Sequence, residues 1–155
     1  AFGSDATERE ADMRCMVIVK STPETETGRM PTEAELSAMG DFNEELSRAG
    51  VMIDGEGLLA SDKGVRVRFT GDGPEIVDGP FTEARELVAG YWIWEVKSMD
   101  EAVEWARRIP FRPDDAEPPT VEIRPVATAE DFGDELTPEL QEQEERIREE
   151  SQRRS

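Results

Sequence analysis

Seven residues of this chain are placed to do chemistry, and none is a histidine, because the sequence has none. Glu56 lies between Gly55 and Gly57, and Asp78 opens the run Asp78-Gly79-Pro80-Phe81. A carboxylate among glycines sits where a ligand can approach the main chain, and burial beside Phe81 and Tyr91 would move it toward the range useful for proton transfer. Glu56 and Asp78 are therefore the catalytic candidates. Arg66, Arg85 and Arg124 are cations able to hold an anionic group, and Phe81 and Tyr91 are aromatic walls, which makes these five the candidate ligand-binding residues. The same residues also admit a structural reading. Asp78 then accepts backbone N–H bonds and shapes its own turn, and Glu56 pairs with Arg66, Arg68 or Arg85. Trp92 and Trp94 read as core or interface anchors.

Without histidine the commonest general base, the Ser-His and Cys-His nucleophile systems and nearly all transition-metal sites are lost. Any catalysis must use carboxylates, Arg, Lys, Tyr or Thr. There is no phosphate-binding P-loop, no dinucleotide glycine fingerprint and no zinc-type cysteine spacing, so no cofactor and no metal are expected. The 155 residues carry 18 basic and 37 acidic side chains, a net charge of −19, which repels phosphate backbones and anionic membranes. Direct nucleic-acid and membrane binding are not expected. No stretch approaches the ~18 consecutive apolar residues of a membrane span. The N-terminus also lacks a secretion profile, so a cytoplasmic location is expected. The single cysteine, Cys15, lies in an apolar run and reads as a small core residue.

The elements that must position these residues follow from periodicity. Met13 to Lys20 alternates as a strand that is apolar on both faces. Pro31-Thr32-Glu33-Ala34-Glu35 starts a helix with Thr32 as N-cap and Glu35 as its capping-box partner. Leu36, Met39, Phe42, Leu46 and Ala49 then recur at helical spacing up to a stop at Gly50. Val51 to Ala60 begins as a strand whose Gly55 and Gly57 predict a bulge or a close backbone approach. After the turn Ser61-Asp62-Lys63-Gly64, Val65, Val67 and Phe69 predict a half-buried strand that leads through a second turn to the short strand Glu75 to Val77. Gly79 is expected to supply a positive φ and Pro80 a fixed one, which reverses the chain before the strand Gly90 to Val96. Ser98 caps a second amphipathic helix that stops before Pro110, and Thr120 to Val126 is the last strand.

The order β-α-β-β-(short β)-β-α-β predicts a ferredoxin-like α+β sandwich, an antiparallel sheet with both helices on one face. The other face keeps Met16, Ile18 and the side chains of the Tyr91 to Trp94 strand, and leaving several of them bare forgoes ~1.5–3 kcal/mol each. A homodimer packed sheet to sheet is expected. Residues 1–12 read as a disordered or tag-like segment, 13–126 as the domain, and 127–155 as an acidic extension that is helical from about 137. That extension has too few apolar residues to bury much by itself.

Several strings within Met13 to Val126 resemble one family. They are Gly55-Glu56-Gly57-Leu58, Asp78 to Phe81 with Arg85-Glu86, Gly90-Tyr91, Glu104-Trp105-Ala106 and Val121 to Val126. Together they are similar to the DGPF group of the YCII-related proteins. The resemblance implies a dimeric α+β barrel, and the first function expected for it is that of a small-molecule-binding or regulatory homodimer. It also implies a possible partner, because bacterial genes of this group often lie beside those for extracytoplasmic-function sigma factors. Relatives with a His-Asp pair in their cleft imply an enzyme, but the missing histidine removes that mechanism here. Arg85 stands where the group often has lysine, which keeps a cation and changes its geometry. The alternative function is a histidine-independent isomerase or lyase-like enzyme that moves a proton with Glu56 or Asp78.

Overall fold

The structure, a computed structural model, describes residues 12–111 and 117–154. The N-terminal segment, apart from Asp12, and the middle of the proline-rich loop before the last strand lie outside the described residues. Two compact units divide at Pro125/Val126.

In the first unit, β1 (Met13–Lys20) follows its predicted alternation: Cys15 and Val17 are fully buried, while Met16 and Ile18 stay partly exposed. The following segment holds a one-turn helix, α1 (Pro23–Glu26), that the polar sequence did not announce. Thr22 and Thr25 cap it reciprocally, each hydroxyl accepting the other's backbone N–H. Helix α2 (Glu33–Arg48) starts as predicted, with Thr32 Oγ1 accepting the Glu35 N–H at 3.2 Å. It ends at Gly50, whose φ of 73° is the left-handed stop.

The remaining elements are β2 (Met52–Gly57), β3 (Val65–Thr70), β4 (Gly73–Asp78), β5 (Val88–Val96), α3 (Met99–Ala106) and β6 (Val121–Pro125). Four strands form an antiparallel sheet in the order β2-β5-β1-β6. One face of that sheet carries Cys15, Val17, Trp92, Trp94 and Val96, and it packs with Phe42 and Leu46 of α2 and Ala102 of α3 into one core. Phe42 meets Trp92 and Trp94 edge-on at centroid distances of 6.0 and 6.4 Å. Both helices therefore lie on the same side. Burial pushes the Cys15 thiol up from its ordinary pKa, and the nearby Glu101 carboxylate adds to this, consistent with an inert core residue.

β3 is not half-buried as its alternation predicts; every residue in it is exposed. Among the described residues it pairs only with β4, in a separate two-stranded sheet, and Phe69 is 82% exposed.

The turn after β4 also departs from expectation. Gly79 does not use the left-handed region. Glycine is needed because a Cβ there would run into the Ser61 carbonyl oxygen. The Gly79 N–H donates to the Gly64 carbonyl at 3.0 Å, and the Phe81 N–H donates to Ser61 Oγ at 2.9 Å. Ser61 is itself held by Glu26 of α1, whose carboxylate accepts the Ser61 hydroxyl at 2.6 Å and its backbone N–H at 3.1 Å. Glu26, Ser61 and Phe81 form a clasp that joins α1, the turn before β3 and the turn after β4.

The second unit contains α4 (Pro138–Arg154), which starts at the predicted Thr137-Pro138 signal, with Thr137 Oγ1 accepting the Leu140 N–H at 3.3 Å. None of its residues is buried. Among the described residues no helix is long and apolar enough to cross a membrane.

The clasp sets a stability contrast. Gly79→Ala forces a Cβ into the Ser61 backbone and is expected to cost about 1–3 kcal/mol in urea unfolding. Gly71→Ala, where a Cβ meets nothing within 4 Å, should stay within about 0.5 kcal/mol of the parent. Equal behaviour of the two variants would contradict the close approach at Gly79.

Candidate functional site

The site begins with cross-strand geometry at the β2 edge of the sheet. A register shift between Met52 and Asp54 bulges β2, after which Gly55 faces Trp92, Glu56 faces Tyr91 and Gly57 faces Gly90. A Cβ on Gly55 would come within 2.7 Å of Trp92 Cδ1, so glycine there gives the indole its seat. The Trp92 Nε1–H donates to Asn43 Oδ1 of α2 at 2.9 Å, which fixes the ring against the helix. A Cβ on Gly90 would sit 3.0 Å from the Glu56 carbonyl oxygen, so this glycine lets β2 lie close.

These glycines remove side chains from one end of the sheet and leave a trough of about 240 Å³ under α2. Val19, Met39, Trp92 and Phe111 make its lining apolar, Asn43 supplies a polar group, and Gly55, Gly57 and Gly90 expose main chain to it. Glu56 and Tyr91 also border it, with their side chains alternating to the opposite sheet face. An apolar recess with a few convergent polar groups is the usual form of a small-molecule site.

The register also orders the sheet face turned away from the helices. One row across β2, β5, β1 and β6 reads Asp54, Ile93, Met16, Arg124, and the next reads Glu56, Tyr91, Ile18, Glu122. The Tyr91 hydroxyl approaches Asp54 Oδ2 at 3.4 Å. The Asp54 charge is the main reason that the phenol titrates above its ordinary range, with slight desolvation, the hydrogen bond to Asp54 and the Glu56 charge adding to it.

The structure brings some of the predicted residues together and separates others. Glu56 and Tyr91 are cross-strand partners, and the Arg66 guanidinium lies 3.8 Å from the centroid of the Phe81 ring. Asp78 closes the exposed hairpin opposite Val65 and does not line the trough. Neither Glu56 nor Asp78 is buried beside Phe81 and Tyr91 as expected; both are exposed.

The structural alternatives fare no better. Arg66 stacks on Phe81, Arg68 approaches Glu75 at 4.0 Å, and Arg85 pairs with Glu117 at 3.4 Å, so none of the three is committed to Glu56. Ser61, not the Asp78 carboxylate, holds the turn. Arg124 pairs with Glu122 at 3.2 Å, on the open sheet face. Asp54 and Asn43 were not legible as site residues, since only the strand register and the helix rotation reveal them. The alternation of Asp54 with Glu56 was the one available signal.

Residues 13–128 match the YCII-related domain. The chain is also 31% identical over 72 residues to an uncharacterized protein of Rhizobium meliloti, a match that takes in 45% of this chain and 55% of the relative. The chain thus spans about half the length of the curated relative it matches.

The Asp54–Tyr91 pair is directly measurable, because Tyr91 is the only tyrosine. In an ultraviolet titration of the phenolate, Asp54→Asn should lower the midpoint, since it removes the charge that opposes ionisation. Glu56→Gln should lower it by less. A midpoint unmoved in the Asp54 variant would show that the two groups are not neighbours in solution.

Proposed function

The chain belongs to the YCII-related domain family, and on that basis we propose that it is a homodimeric small-molecule-binding protein whose ligand occupies the trough between α2 and the β2–β5 edge. The observation that carries this reading is the glycine floor. Gly55 seats Trp92 and Gly90 draws β2 in, which leaves an apolar recess with Asn43 and exposed main chain as its polar groups. A ligand with an apolar body and a hydrogen-bonding end matches that lining.

The strand order β2-β5-β1-β6 with both helices on one face supports the ferredoxin-like arrangement, and the opposite face supports the dimer. Met16, Ile18, Tyr91 and Ile93 form a partly exposed apolar strip there, and Ile53 is 51% exposed beside it. A second copy stacked on this face gives the strip its missing cover.

The enzymatic alternative rests on Glu56 alone, since Asp78 stands apart from the trough. In that version the molecule reaches over the β2 edge to Glu56, whose side chain lies beside Tyr91 on the sheet face turned away from the helices, and Glu56 moves a proton on it. A regulatory role with a basic protein partner, an extracytoplasmic-function sigma factor among them, draws its support from the net charge of −19.

Native mass spectrometry of protein purified gently from producing cells tests the main reading. The expected spectrum shows a dimer with a stoichiometric small-mass adduct that disappears in Met39→Trp, a substitution that fills the trough, while the dimer persists. A bare dimer in both proteins would overturn the ligand proposal. A co-purifying basic protein in place of a small molecule would favour regulation.

A further inference from the structure

Away from the trough, a second cleft of about 510 Å³ opens where the end of β1 meets the start of β6. It shares no lining residue with the first. Its walls are Lys20, Ser21 and Thr22 from the β1 end, Arg85 from the turn before β5, and Glu117, Pro118 and Thr120 from the approach to β6. Two cations and three hydroxyl side chains therefore face one space in a chain whose net charge is −19.

The backbone fixes the place. The Lys20 N–H donates to the Thr120 carbonyl, and the Ser21 N–H donates to the Leu87 carbonyl, both at 3.0 Å. Three segments are thereby held together around the cleft, and Ser21 is only 7% exposed. Lys20 is partly buried and makes no ion pair among the described residues. Its ammonium charge is therefore not committed to any carboxylate of the described residues, in a chain with 37 acidic side chains. Arg85 is 86% exposed and meets Glu117 at 3.4 Å through one guanidinium nitrogen. That is a loose, solvent-screened pair that leaves most of the guanidinium donors free to reorient.

From this juxtaposition we infer that the cleft is a binding site for a small oxyanion, a carboxylate or phosphate group, held by Lys20 and Arg85 with hydroxyls from Ser21 and Thr22. The anion gives Lys20 the partner it lacks and competes with Glu117 for Arg85. Thr120 is already engaged, its hydroxyl donating to the Pro118 carbonyl at 3.2 Å, and serves as wall. The volume suits a small organic acid or a phosphorylated metabolite fragment, with room for a body beyond the charged group.

Amide NMR titrations of the full chain with inorganic phosphate and with malonate, at constant ionic strength, test this site. The expected result is saturable shifts centred on Lys20, Ser21, Thr22 and Arg85, with affinity reduced about tenfold by Lys20→Met and by Arg85→Met. Arg85 is exposed, so its variant should keep the parent's spectral dispersion. Glu117→Gln should bind roughly threefold more tightly, because it removes the internal competitor. Preference for malonate or for phosphate identifies the headgroup. Shifts that never saturate, saturation at other residues, or a Glu117→Gln variant that binds more weakly would overturn the assignment.

Discussion

A strand that is apolar on both faces needs two covers, and β5 is such a strand. Trp92, Trp94 and Val96 point to one side, where α2 and α3 bury them with Cys15 and Val17 of β1. Tyr91 and Ile93 point to the other, together with Met16 and Ile18. The helices cannot reach both sides, because each follows a strand of the same sheet and returns to the same face. The covered side carries the core of the unit, with Trp92, Trp94 and Phe42 packed among its buried aliphatic residues. The partly exposed apolar side is the reason a second copy belongs to the proposed function.

Close packing at the β2 edge links this constraint to the trough. Trp92 is both a core residue and a trough wall, and it can be both because Gly55 yields the space a Cβ would take. The hydrogen bond to Asn43 then keeps the indole from sliding into the recess it lines. A larger residue at position 55 would push the ring toward α2 and reduce the cavity, so the same glycine serves stability and binding. On the far side of the sheet, the neighbouring residues Asp54 and Glu56 set the proton affinity of Tyr91. Charge on one face and shape on the other are thus controlled by three consecutive residues of one edge strand, Asp54, Gly55 and Glu56.

Much of this was legible in the sequence, and the rest failed for identifiable reasons. β1, α2 with its Thr32 cap, α3 with its Ser98 cap, and the start of α4 follow from periodicity and capping, which are local signals. The two-sided character of β5 was legible too. The exposure of β3 was not, because alternation tells which residues share a face and not whether anything covers that face. Gly79 was assigned the wrong physical role: a sharp turn suggested positive φ, but what excludes a side chain is the Ser61 carbonyl, 18 residues earlier in the chain. Asp78 looked like the active member of its motif because it carries the charge, yet Ser61 and Glu26 hold the turn. Such long-range partners leave no mark in the spacing of a single sequence. Glu56 and Tyr91 were named separately, and only the register made them neighbours.

The central claim is that the face carrying Met16, Ile18, Tyr91 and Ile93 is covered by the same face of a second copy. Isotope-filtered NMR on a mixture of differently labelled chains measures this most directly, since it records only contacts between copies. The account predicts intermolecular cross-peaks from the Met16, Ile18 and Ile93 methyl groups to one another and to the Tyr91 ring. A protein that is monomeric at micromolar concentration, or a dimer whose intermolecular cross-peaks come instead from the β3–β4 hairpin or from α4, would contradict it.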